Sequence, residues 1–260
     1  MGRGALFAVV ALTAGTPVAL ASGDAAGTLA FKTKVAVVYP PTTCPAGTPD
    51  GIACFARTGK AAIRGLGKVD ESYAYLLDED PAGCSIGTVR GLPSTARLAV
   101  LGKGTIEVQV SGTECLSRNP PAPVVGSETF TIAGGTGIYA DAGGGGTIQH
   151  VSYGPPDWRG TDTWSGTITL PGLEFDLTRP TIRGAVNKRV RAPRGAKRIR
   201  VRYGVTAQDD VDGALRALCK PKSGARFRVG RTVVRCSATD RSANTAKARF
   251  RVTVKQRGKR

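Results

Sequence analysis

The sequence predicts an all-β protein of two domains, and three observations carry that prediction. From about residue 27 onward, most stretches alternate apolar and polar residues with a period of two. That period gives a strand one buried and one solvated face. Stretches with a helical period are nearly absent, and 35 Gly with 16 Pro supply the turns. Charge is divided along the chain: positions 176–260 hold 25 Lys and Arg against 5 Asp and Glu, whereas positions 1–175 hold 12 against 14. One end of the chain alone accounts for the formal net charge of +18.

Residues 1–21 form a segment of a different kind. Arg3, an apolar run from Ala5 and the small-x-small triplet Ala19-Leu20-Ala21 have the layout of an export signal cleaved after Ala21. Gly15, Thr16 and Pro17 interrupt the run, and a membrane span needs about 20 uninterrupted apolar residues. With no later apolar segment there is no transmembrane anchor, so the mature protein is expected to be secreted, with the cell surface as a further location. Outside the cytoplasm six cysteines read as three disulfides, because nothing there keeps thiols reduced. The lone His150 and the lack of any CxxC pair exclude a structural zinc site.

Strands are expected in the first domain, 27–175, at KVAVVY, GLGKVDESYAYLL, ETFTI, GTIQHVSY and DTWSGTITL. RLAVLGKGTIEVQV reads as a hairpin turning at Gly102-Lys103-Gly104. Seven or more strands in about 150 residues suggest a closed barrel or a sandwich. Cys44 and Cys54 flank a turn-rich loop, which leaves Cys84 and Cys115; three pairings are formally possible and nearest-neighbour pairing is expected. AGGTGIYADAG brushes against a dinucleotide fingerprint, but the run Gly143–Gly146 would break the helix such a loop must open, so no cofactor is expected. That segment reads instead as a glycine turn, with a strand beginning near Thr147. No catalytic residue is assigned. His150 shares a strand face with Ile148 and reads as a packed or rim residue, while Glu107, Glu114, Glu128 and Asp141 are scattered with nothing to pair them.

DLTRPTIR, containing Pro180, reads as a linker, with the boundary between Glu174 and Arg179. Beyond it, KRIRVRYGV reads as one strand with Ile199, Val201, Tyr203 and Val205 inward and Arg198, Arg200 and Arg202 outward. In AKARFRVTVK, Ala248, Phe250, Val252 and Val254 face in, and Lys247, Arg249, Arg251 and Lys255 face out. A Cys219–Cys236 bridge would close a loop of about 18 residues, worth about 3 kcal/mol in the chain-entropy model. Asp240 and Asn244 bracket a turn. The cluster Asp209, Asp210, Asp212, Gly213 could ligate calcium, but it lacks the remote Glu such a loop uses and reads as an Asx turn, so no metal is assigned.

Spaced blocks in this second half carry a resemblance: Asp176-x-x-x-Pro180, T-A-x-D-x-V-D-G over Thr206–Gly213, C-x-P-x-S-G from Cys219, F-x-V-G-x-T-x-V-x-C ending at Cys236, and A-T-D-x-x-x-N-T-A over Ala238–Ala246. The segment resembles a hyalin repeat (HYR) domain, an immunoglobulin-like module of extracellular proteins. The resemblance implies a β-sandwich over 176–256, followed by a basic tail to residue 260. The chain departs from the family in its Arg- and Lys-rich surface. In the first half, F-x-I-x-G-G-T-G-x-Y-x-x-A-x-G-x-G over Phe130–Gly146 resembles the glycine-rich connection of allene oxide cyclase-like and dirigent-like β-barrels. That implies about eight strands and an interior able to hold a small apolar molecule.

The expected function is a non-enzymatic binding or adhesion protein. Its basic module would contact anionic polysaccharide, cell-wall polymer such as teichoic acid, or extracellular DNA without sequence preference, through Arg198, Arg200, Arg202, Lys247, Arg249 and Arg251. The alternative is a barrel enzyme or carrier for a small apolar ligand, tethered by that module.

Overall fold

The computed structural model describes residues 27–44, 46–48, 50, 52–79, 88–115, 123–153 and 158–257. The expected export signal over 1–21, Cys84 and the last three residues of the expected basic tail lie outside them. Eight antiparallel strands close into a barrel: β1 (Thr28–Val38), β2 (Ile52–Ile63), β3 (Gly67–Glu79), β4 (Thr88–Val100), β5 (Gly104–Cys115), β6 (Val124–Gly135), β7 (Gly143–Tyr153) and β8 (Arg159–Thr169). Alternation makes the barrel possible, since inward residues can fill an eight-stranded interior. Leu29, Phe31, Val35 and Val37 of β1, Ile106, Val108 and Val110 of β5, and Trp164 and Ile168 of β8 do so as one buried cluster. Closure is completed by β1 pairing with β8 from Thr28↔Thr169 to Val38↔Arg159. Register shifts in the β3–β4, β4–β5 and β5–β6 ladders bend the sheet, as bulges do.

The Gly143–Gly146 run is strand rather than turn, so β7 begins four residues before the expected Thr147. Close approach of the paired strands explains two of these glycines: a Cβ at Gly146 would lie 2.1 Å from Ser165 O and one at Gly166 2.3 Å from Gly145 O, with the Phe130 ring also within 2.9 and 2.8 Å. A single 3₁₀ turn, Gly137–Tyr139, follows β6 and buries Tyr139 at that end of the barrel.

The C-terminal region has a second core. One sheet has the order β10 (Lys188–Ala192), β17 (Thr245–Gln256), β16 (Gly230–Thr239), β14 (Leu218–Lys220). β11 (Arg198–Arg200) pairs with β15 (Arg226–Arg228), and β12 (Thr206–Asp209) lies between β9 (Thr181–Arg183) and β13 (Gly213–Leu215). Ala192, Val201, Phe227, Val234, Phe250, Val252 and Val254 form the core between the β11–β15 pair and the four-stranded sheet. KRIRVRYGV is not one strand. After Arg200 the chain leaves β15, with Val201 N–H donating to Ala225 O and Val201 O accepting from Gly224 N–H, and it re-enters a different sheet as β12. A segment that serves two sheets cannot keep one ladder throughout. Cys219 and Cys236 stand opposite each other in the β14–β16 pair and are bridged; Cys44 and Cys54 are bridged across the loop before β2.

The two regions touch at a defined joint. Leu173, Phe175 and Leu177 pack against the barrel core. Gly65, in the β2–β3 turn, donates its N–H to Ser242 O at 2.7 Å, and Arg64 Nε donates to Asn244 Oδ1 at 3.0 Å. Gly67, at φ +112°, runs so close to Arg241 that a Cβ would lie 2.3 Å from its carbonyl oxygen.

Candidate functional site

The basic residues are placed by strand alternation, and the ladders decide which of them meet. Lys220 stands opposite Arg235, and Arg235 opposite Arg249, so three cations cross β14, β16 and β17 in one row. Arg191 stands opposite Lys255 on β10 and β17. Lys247 and Arg251 extend the row along the exposed face of β17. None of these seven residues forms an ion pair with a carboxylate among the described residues. Like charges directly opposite one another in a ladder destabilise it. The row is therefore an electrostatic cost that no ion pair among the described residues offsets.

The six residues singled out from sequence do not form one surface. Lys247, Arg249 and Arg251 lie on the outer face of the four-stranded sheet. Arg198 and Arg200 lie on β11, opposite Arg228 and Arg226, and Arg202 lies just beyond that strand. The β11–β15 pair and the four-stranded sheet face each other across a shared core, so their outer faces look in opposite directions. The split follows from the sheet change after Arg200.

A second arrangement was not foreseen. Arg57 on β2, Glu71 and Tyr73 on β3, Glu128 on β6, His150 on β7 and Asp162 on β8 all point into the barrel and are buried. Arg57 Nη1 lies 3.2 Å from Asp162 Oδ2 and 3.4 Å from Glu128 Oε2. Tyr73 donates its hydroxyl to Glu128 at 3.4 Å, its ring lies under the Arg57 guanidinium, and His150 Nδ1 bonds Asp162 Oδ1. Tyr39 sets its ring edge-on to both His150 and Trp158, closing the cluster beneath aromatic groups. Of the four acids read as scattered, Glu128 is joined to another carboxylate, Asp162, through Arg57, and Glu107 forms an ion pair with Arg97 at 2.8 Å. The missed signal was parity: each cluster residue lies an even number of places from an inward apolar residue on its strand, Glu71 two from Val69 and Asp162 two from Trp164.

Glu71 is pushed up to about 8, first by burial and then by the negative charge of Asp162. Neither of its oxygens meets a donor, and in the protonated form its hydroxyl donates to Asp162. Such a carboxyl could serve as a general acid near neutral pH if a substrate reached it. The space beside it, between Phe31, Leu98 and Trp164, is about 10 Å³. That is room for about one water. On this side the barrel is filled by its own side chains, while Glu71 also borders a more open groove of about 700 Å³ with Val37, Gly59 and Gly160.

Residues 175–254 match the family model of the HYR domain. The HYR domain is associated with extracellular, adhesion-type modules, which agrees with two disulfides in the described residues. Among those residues no helix is long and apolar enough to cross a membrane. No curated protein and no solved structure matches the chain. The barrel is present, but its likeness to allene oxide cyclase-like and dirigent-like proteins gains no support from these comparisons.

Proposed function

We infer that this is a secreted, non-enzymatic binding protein that holds anionic polymers on the outer face of the four-stranded sheet of its HYR domain. The observation that carries this reading is the row Lys220–Arg235–Arg249, three directly opposed cations with no carboxylate partner. Cations placed so are stabilised by anions from outside the chain. Backbone-spaced phosphates or sugar acids fit, and a sheet face without aromatic or amide side chains between the cations favours binding without sequence preference. The space of about 10 Å³ between Phe31, Leu98 and Trp164 gives the carrier alternative no support on that side of Glu71.

The test uses the full-length protein with heparin and duplex DNA across a salt series. About six contacts on duplex DNA give a log–log slope of roughly −5. Arg235→Ser, Arg249→Ser and Arg251→Ser combined should reduce that slope by about half with no fall in Tm, because these side chains are exposed. Arg198→Ser with Arg200→Ser, on the opposite face, should change it little. Binding equally salt-sensitive in both triple and double variants would move the site off this sheet, and no binding at about 50 mM salt would leave the face as a solvated surface only.

A further inference from the structure

Three carboxylates that lie far apart in the chain meet where the barrel joins the HYR domain. Asp176 comes from the linker, Asp209 from the end of β12 and Asp240 from the turn between β16 and β17, and one oxygen of each lies within 4.8 Å of the others. Every one of these carboxylates has its two oxygens in different states. The Oδ1 atoms are engaged: Asp176 Oδ1 accepts from Thr178 N–H and hydroxyl, Asp209 Oδ1 from the N–H groups of Val211 and Asp212, and Asp240 Oδ1 from Asn244 N–H at 2.8 Å. The Oδ2 atoms of all three are buried and meet no donor. Asp209 is 3% exposed and Asp240 7%. Positions 176–260 hold 25 Lys and Arg, yet among the described residues no cation pairs with any of the three. Arg64 reaches this corner from the barrel and is bound to Asn244 and to Leu177 O instead.

Three carboxylates this close, each with a buried oxygen that meets no donor, repel one another. A cation between them would offset that repulsion. Backbone N–H groups orient each carboxylate, so the arrangement is held by the fold rather than being a chance meeting of flexible side chains. Oxygen-only donors at this spacing suit a hard cation, and ligands taken from a linker, a strand end and a turn suit the larger, geometrically tolerant Ca²⁺ better than the strictly octahedral Mg²⁺. Asp240 also lines a groove of about 820 Å³ between the β4–β5 turn and the HYR domain, which supplies an entry path. The Asp209–Gly213 turn therefore serves a second purpose. Its Asx bonds use one oxygen of Asp209 and leave the other, buried beside Asp176 and Asp240, without a donor.

We propose that Asp176, Asp209 and Asp240 bind one Ca²⁺ at the joint, clamping the linker, the β12 end and the β16–β17 turn into one unit next to the barrel contacts of Arg64 and Gly65. The ion ties the β12 end to the linker and the β16–β17 turn, the two segments that carry the contacts between the two regions. It is independent of polyanion binding on the outer sheet face, which lies elsewhere on the domain.

The experiment uses the full-length protein freed of metal with EDTA, then titrated with CaCl₂, with MgCl₂ or with NaCl at matched ionic strength, and read by calorimetric titration and thermal melting. The expected result is one Ca²⁺ per chain with Kd of about 0.1–1 mM, as for extracellular calcium modules. A Tm gain of roughly 3–6 °C at 10 mM CaCl₂ should accompany it, and a smaller one in MgCl₂. Asp240→Asn and, separately, Asp176→Asn should abolish the calcium gain while melting in EDTA no lower than the parent, since each removes a repulsive charge. The proposal is overturned if CaCl₂ shifts Tm no more than NaCl does. It is equally overturned if both variants keep the calcium response, which would place the ion elsewhere. If a variant melts far lower in EDTA, its fold is damaged, and the calorimetric stoichiometry of the parent decides alone: one ion per chain supports the site and none refutes it.

Discussion

A carboxyl with a pKa of about 8 titrates within the range where proteins are handled, and Glu71 is such a group. Its ordinary value is 4.5, so between these two pH values the unfolded chain has released a proton that the folded barrel keeps. The stability from keeping that proton is complete below pH about 4.5, is lost as pH rises toward 8, and changes no further above it, with a slope of up to about 1.4 kcal/mol per pH unit. Thermal melts of the full chain from pH 5 to 9 should show Tm falling across this window, and Glu71→Gln should remove most of that fall. An unchanged slope in the variant would assign the proton elsewhere. Arg57 is the other decisive residue: with no exposed surface, it is the cation for Asp162 and Glu128. Arg57→Met strands those charges and should cost about 3–5 kcal/mol in denaturant unfolding. A loss below 1 kcal/mol would mean the carboxylates are already neutral.

At the scale of elements, β14, β16 and β17 combine a staple with a repulsive surface. The Cys219–Cys236 bridge closes a loop with a sequence separation of 17 residues, and replacing both cysteines by Ala should lower stability by about 3 kcal/mol. On the opposite side of the same strands, Arg249 faces Arg235 directly. Arg249→Thr removes a like-charge pair and adds a good strand former. The variant should gain about 0.2–1 kcal/mol at low salt, and the gain should shrink in 0.5 M NaCl as the parent's repulsion is screened. A gain independent of salt would show that strand propensity, not charge, is the cause. The bridge holds together strands that the surface charges push apart.

For the whole molecule, the joint decides whether the barrel and the HYR domain unfold together. Arg64 reaches from the β2–β3 turn to Asn244 Oδ1 and Leu177 O, and Gly67 passes against Arg241 with no room for a side chain. Arg64→Ala removes the first contact while leaving both cores untouched. In calorimetry the parent should melt with its two regions coupled, and Arg64→Ala should separate the transitions. A parent that already shows two transitions would mean these contacts transmit no stability.

Much of this architecture was legible in the sequence because its signals are local. Alternation placed strands such as β1, β5 and β17, and Gly102–Gly104 marked the β4–β5 hairpin. Cys219 and Cys236 were close enough to pair by proximity, and the blocks around Asp176, Asp209 and Asp240 carried the likeness to the HYR domain. What those residues do together was decided by tertiary structure. Arg57 and Asp162 are 105 positions apart and meet only because β1 closes the barrel against β8. The arginines of KRIRVRYGV part from those of β17 because the chain changes sheets after Arg200. The three aspartates share a corner only once linker, strand end and turn are folded against one another. Alternation reports which face a side chain takes, but register and closure determine its neighbours, and these depend on ladders between strands that a local pattern cannot see.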